Sequence, residues 1–285
     1  MLPPALLLLL STLLSRAVAL PAEYGSGQVV IEGPRIQREY ENGELPPVEN
    51  TPGWVDPRLS GGRLLDFTTK HLGEPLNVVI SALSDPFILT ETGLHTYAKS
   101  IGFSKECLGL HYGHIHDADL GDGLGRKPEQ ILFRQNYFPV IGTCWESVRG
   151  GHHFRAWKQN GTIANSGAWF LGFVLSSSAF KPDLTSRRRA SLEKDSSNNH
   201  LIEDDGYNLG RNHIVEQATA GSHWQGMWWS ADVEWRRGLL EKGSRGAHCC
   251  SLRPRCTHIL TDINAGVNHD IEQDGLVAIL TVVRL

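Results

Sequence analysis

Apolar positions in this chain gather into a few dense runs separated by long polar stretches. The first run, residues 2–14, carries no charge; Arg16 follows it, then Ala17-Val18-Ala19. An apolar core followed by small residues at the −3 and −1 positions reads as a secretory signal peptide over residues 1–19, cleaved after Ala19. The run is too short to cross a hydrocarbon layer, which takes about 20 apolar residues, and no later run reaches that length. The expectation is a secreted, extracellular chain without a transmembrane anchor.

Past residue 70 the patterns are those of strands and short helices. Residues 77–83 (NVVISAL) form a β-branched run stopped by Ser84-Asp85-Pro86, a buried strand and its turn. Thr90 is placed to cap a helix in which Leu94, Tyr97, Ala98 and Ile101 recur at helical spacing, with Gly102 as its stop. Residues 153–158 alternate and 169–175 (WFLGFVL) are almost continuously apolar, with Asn160-Gly161 between them as a turn. Residues 208–220 predict a short helix with Asn208 as its cap, Ile214, Val215 and Ala218 on its buried face and Gly221 beyond; 276–283 (LVAILTVV) predict a closing buried strand. Together these give an α/β or α+β fold: a single globular domain over residues 71–285, with a central sheet and few helices. An irregular Pro/Gly-rich leader, residues 20–70, precedes it, and 181–205 form a polar insertion carrying Arg187-Arg188-Arg189.

Composition narrows the class. Of 285 residues, 40% are hydrophobic, enough for a real core, and the formal net charge of −4 argues against a nucleic-acid or anionic-membrane surface. Five cysteines leave one over after pairing in an oxidising compartment. Three crowd into Cys249, Cys250 and Cys256, whereas Cys107 and Cys144 lie in the most regular part of the chain and are the expected disulfide.

Six segments resemble an uncharacterised family of fungal secreted proteins: SALSDP at 81–86, SIGFSKECL at 100–108, LGDG at 120–123, GGHHFR at 150–155, GYNLGR at 206–211 and GVNH at 266–269. The resemblance runs from about residue 76 to the C-terminus and implies export and one folded domain, with no activity to carry over. Two stretches depart from the pattern, 181–200 and 245–264. Removing 245–264 joins Lys242-Gly243-Ser244 to Ala265-Gly266-Val267-Asn268-His269, a run associated with that family, and leaves only Cys107 and Cys144. We therefore expect 245–264 to be a retained intron; the competing reading is a genuine cysteine-bearing loop, whose closure would cost little.

Candidate chemistry is dispersed. His111, His114, His116 and Asp119, with Asp117 and Asp122, supply the imidazoles and carboxylates a divalent metal needs, and are the candidate ligands. Their spacing matches no established motif, and aspartates beside glycines also build polar turns. A second set is His153 and Arg155, which share one face of an alternating strand, with Arg211 and His269. Arg211 and His213 fall near a helix start, where anions are favoured; such a His/Arg cluster suits a carboxylate or phosphate, with a histidine as acid or base. The bland alternative has these arginines tying strands to acidic loops. Trp224, Trp228, Trp229 and Trp235 serve either core packing or sugar stacking. No Gly-x-Ser-x-Gly elbow, Walker A sequence or G-x-G-x-x-G spacing is present.

The functional expectation is an extracellular binding or structural protein with an extracellular ligand. The alternative is a hydrolase or lyase using the His/Arg cluster, with or without a divalent metal. Asn160-Gly161-Thr162 is a sequon in a turn, so Asn160 is the expected glycosylation site. N-terminal sequencing of exported protein should begin at Leu20; retention of Met1 would contradict the signal peptide.

Overall fold

The computed structural model describes residues 51–69, 73–109, 115–135, 137–138, 142–146, 150–178, 200–202, 205–240, 271 and 273–285. Among these residues eleven strands and two α-helices follow in chain order. They are β1 (Val78–Ile80), α1 (Glu91–Ser100), β2 (Ser104–Lys105), β3 (Asp117–Asp119), β4 (Arg126–Pro128), β5 (Ile131–Arg134), β6 (Gly150–Lys158), β7 (Trp169–Ser178), β8 (His200–Ile202), α2 (Gly206–Ala220), β9 (Ser222–Trp224), β10 (Met227–Arg236) and β11 (Val277–Arg284). Nine strands form one sheet in the order β2-β5-β6-β7-β1-β11-β10-β9, with β8 on β7; β3 and β4 form a separate hairpin. Every pairing is antiparallel except β1 with β11, so the sheet is mixed and the domain α+β.

Side chains alternate across the sheet, and both faces are covered. On one face, Phe154 and Ala156 of β6, Leu171 and Phe173 of β7 and Leu280 and Val282 of β11 pack with Leu94, Tyr97 and Ala98 of α1 and Ile214, Val215 and Ala218 of α2. On the other, Trp157, Phe170, Val79 and Ile279 meet Trp54, Leu65, Ala118, Leu120 and Leu240. Burial on both sides explains why β7 and β11 read as unbroken apolar runs. Each fully buried Phe, Leu or Ile stabilises this arrangement by about 1.5–3 kcal/mol.

Local chemistry fixes the ends of α1. The Thr90 hydroxyl accepts from the Gly93 N–H at 3.0 Å, and Gly102 follows the helix at φ +85°. Helix α2 starts earlier than its pattern suggests. Asp205, at φ +63°, is its N-cap without a capping side-chain bond; Asn208 lies inside the first turn, donating to the Asp205 carboxylate and accepting from the Asp274 N–H.

Three further stretches take a definite form. Part of the leader packs on the domain: Trp54 and Leu65 are core residues and the Leu65 N–H donates to the Leu239 carbonyl at 2.9 Å. The polar insertion is not wholly irregular, since His200–Ile202 pairs with β7. The tryptophan-rich stretch is the β9–β10 hairpin, turned by Gln225 (φ +49°) and Gly226 (φ +81°). Trp229 is buried, Trp224 and Trp235 pack against the helix-side core, and Trp228 is exposed beside His223. Residues 1–50 and 245–264, and with them the signal peptide and the intron reading, lie outside the described residues. Among the described residues no helix is long and apolar enough to cross a membrane.

Helix α2 sits close on β7. A Cβ at Gly210 would fall within 2.9 Å of the Val174 backbone. Gly210→Ala should therefore lift the helix and lower stability by about 1–3 kcal/mol, read as an earlier denaturant midpoint; an unchanged midpoint would contradict so tight a seat.

Candidate functional site

The alternation that sends Phe154 and Ala156 to the helices sends His153, Arg155 and Trp157 to the opposite face. Across the β5–β6 ladder Arg134 stands opposite His153, and Leu132 opposite Arg155. Around these strands gather four glutamates, two arginines and two histidines, all buried except the half-buried Glu106 and Glu129.

Arg155 is the centre. Its Nε donates to Glu74 Oε2 at 2.8 Å and its Nη1 to Glu129 Oε1, so one guanidinium holds two carboxylates from different loops. The other Glu129 oxygen accepts the His116 backbone N–H at 2.7 Å. Two rings flank Glu74: His153 Nε2 lies 3.7 Å from Oε1 and His116 Nδ1 3.8 Å from Oε2. Arg134 repeats the arrangement, its Nε donating to Glu106 at 3.1 Å and its Nη1 to both Glu146 oxygens at 3.3 and 3.4 Å. The expected disulfide joins Cys107 to Cys144, binding together the two loops that carry Glu106 and Glu146. Closing a loop of this size restrains the unfolded chain by about 2–4 kcal/mol.

Burial and charge separate the carboxyls. For Glu74, burial pushes the pKa up, but the Arg155 charge and the flanking histidines outweigh it and hold the carboxyl well below the ordinary range. For Glu129, burial prevails over Arg155, and the Glu74 charge adds to the upward shift. Burial pushes Glu146 up to about 7 despite Arg134. Burial likewise lowers His153 to about 4, against the pull of Glu74, so near neutral pH its ring is uncharged and Arg155 is the cation that keeps Glu74 ionised.

Glu129 also faces solvent space. Beside the β5 edge runs a cleft of about 450 Å³ with Glu106 and Glu129 in its wall, Ile115, Pro128, Ile131 and Leu132 as its apolar lining, and Glu91 and Lys105 also bordering it.

The sequence-derived candidates divide. His153 and Arg155 do share a face and a partner, Glu74. Arg211 does not join them: on α2 it donates to both Asp274 oxygens, at 2.6 and 2.8 Å, and to the Leu276 carbonyl, and lies over the Trp235 ring. Helix α2 packs on the face that Phe154 occupies, which is why a site spanning Arg155 and Arg211 does not assemble. His269 lies outside the described residues, as do His111 and His114. His116 belongs to the Glu74 cluster, while the Asp119 carboxylate accepts the Gly121 N–H at 3.0 Å, a turn-forming role. Asp117 pairs with Arg126, and Asp122 with Lys127. Among the described residues no group of three or more such side chains is arranged to hold a metal ion. Asn160 is exposed in the β6–β7 turn, its side chain accepting from Lys127 Nζ at 3.2 Å. Glu74, Glu129, Arg134 and Glu146 sit in no motif, and Glu106 falls within SIGFSKECL, a segment that marks no chemistry of its own. No known family model matches the chain, and no curated protein or solved structure is significantly similar to it.

Arg155→Met should strand two buried carboxylates and cost about 3–5 kcal/mol near neutral pH. A carboxyl held low in the fold stabilises above its unfolded pKa of about 4.5 and loses that contribution as pH falls; without Arg155 this advantage disappears. The variant's deficit in chemical denaturation should therefore shrink on acidification. An equal deficit near pH 7 and near pH 3 would contradict the pairing.

Proposed function

We propose that this chain is an exported protein that binds a small extracellular ligand in the cleft beside β5. The ligand has an apolar body and a cationic or donor-rich group. The carrying observation is the composition of the cleft: carboxylates of Glu106 and Glu129, the latter fixed by Arg155, set among Ile115, Pro128 and Leu132. Such a mixture of apolar wall and a few oriented polar groups suits small-molecule recognition. Glu91 adds negative charge, with Lys105 as counterweight, so an amine is favoured over an anion. The apolar run at residues 2–14 and the Cys107–Cys144 bridge support export, and the exposed Asn160 turn supports glycosylation there. The resemblance to fungal secreted proteins points the same way.

A second reading is a hydrolase or lyase. It is favoured by the opposite displacement of two neighbouring carboxyls, Glu74 held low and Glu129 raised, which is how one site keeps a base and a proton donor together. Glu129, at the cleft, would be the donor.

Thermal shift against a panel of primary amines, amino sugars, guanidines and matched neutral analogues separates the readings. The binding reading expects stabilisation by a cationic compound, about 2.7 kcal/mol at one hundred times its Kd, abolished in Glu129→Gln, with the compound recovered unchanged. Conversion of the compound, lost in the same variant, would instead establish the enzymatic reading. A panel with no selective cationic hit would overturn the proposed ligand class.

A further inference from the structure

On the helix side of the sheet, away from the Glu74 cluster, two imidazoles stack. The rings of His152 on β6 and His213 on α2 have centroids 4.1 Å apart and planes within 2° of parallel. Phe103 flanks His213 at 6.3 Å. Gln135, just past β5, ties the pair together: its side-chain oxygen accepts the His152 backbone N–H at 3.0 Å, and its side-chain nitrogen lies 3.1 Å from His213 Nε2.

This arrangement fixes the protonation state. Because the Gln135 oxygen is taken by the backbone N–H, the amide end facing His213 is the NH2 donor, and turning the amide over would set donor against donor at His152. His213 Nε2 must therefore accept, which places its single proton on Nδ1 and leaves the ring neutral. Protonation at Nε2 would point an N–H at the Gln135 NH2. Charging both rings would also stack two cations face to face.

We propose that His152, His213 and Gln135 form a proton-sensitive latch that holds α2 on the sheet only while both imidazoles are neutral, so that acidification of the surroundings releases the helix. Burial, reinforced by the charges of His213 and His153, lowers the His152 pKa to about 3. Burial also lowers His213, opposed by Glu216 one turn along α2. These are the titrating groups acting on the pair: each other, His153 from the opposite face of β6, and Glu216. The sign follows from the lowered values. Neutral rings stabilise the fold fully above the unfolded histidine pKa of about 6.5, and the contribution is lost as pH falls below it. His95 and His153, both lowered to about 4, add an acid dependence of their own, so the readout must be local to α2.

Hydrogen exchange of the full-length protein, corrected for intrinsic chemistry, tests the latch. From about pH 7 to about pH 5, amides of residues 206–220 should lose protection several-fold relative to those of β7 in the unmodified chain. The His152→Phe/His213→Phe double variant keeps an aromatic stack that cannot titrate, and the selective loss should vanish. Gln135→Glu presents His213 with an acceptor instead of a donor and should move helix release to lower pH. If the double variant does not fold, the Gln135→Glu shift and the histidine NMR titration of the unmodified protein decide. Protection of α2 that is independent of pH, a selective loss that persists unchanged in the variants, or His213 titrating near 6.5 with the helix still protected would each overturn the latch.

Discussion

Much of this domain hangs on a guanidinium that has nowhere to go. Arg155 is carried into the interior by β6, whose neighbours on the ladder are packed on both faces, and it stays charged there because Glu74 and Glu129 are brought to it. The two loops bearing those carboxylates are therefore not free to choose their paths. Glu129 also accepts from the His116 backbone, so the chain entering β3 is fixed by the same centre. A buried pair of this kind is weak as a source of net stability, since desolvation offsets most of the attraction, but it is strong as a constraint, because every misplaced partner leaves a bare charge. Arg134 extends the constraint to Glu106 and Glu146.

The sheet separates two kinds of chemistry. Its helix side is a largely apolar core that also carries the histidine stack, and its other side combines the packing of Trp54 and Trp157 with the charged cluster. A strand with strict alternation can serve both at once: along β6, His152, Phe154 and Ala156 belong to one environment and His153, Arg155 and Trp157 to the other. The proposed ligand cleft opens where β5 extends past β2 and the charged side comes nearest to solvent.

Strands and helices with a strong local period were legible from the amino-acid sequence. Thr90 and the apolar spacing through Ile101 specify α1, and the runs at 169–175 and 276–283 specify β7 and β11. Strand β10 was missed because Trp228, a large aromatic on the solvent face, hides the alternation of Met227, Trp229, Ala231 and Val233. Strands β2 and β5 are too short to show a period. In the site, the shared face of His153 and Arg155 followed from alternation alone, but their partner Glu74 lies 81 residues from Arg155 and is delivered by tertiary packing that no local pattern encodes. The grouping of Arg211 with Arg155 failed for a related reason: a helix sequence shows which of its own faces is apolar, not which side of a sheet it will cover.

Strand β1 is only three residues long, yet it is central, lying between β7 and β11. Its partner on one side is the last strand of the chain, paired in parallel, and the Val282 N–H reaches the Ser84 hydroxyl across 198 residues. The middle of the sheet therefore cannot close until residues 277–284 have been made. Until residues 277–284 emerge, β1 and β10 each present an open hydrogen-bonding edge. Contacts of such long sequence separation form slowly and leave a nascent chain prone to aggregation. A truncation that removes β11 would thus deprive the molecule of its centre rather than trim its periphery, and folding waits on residues 277–284.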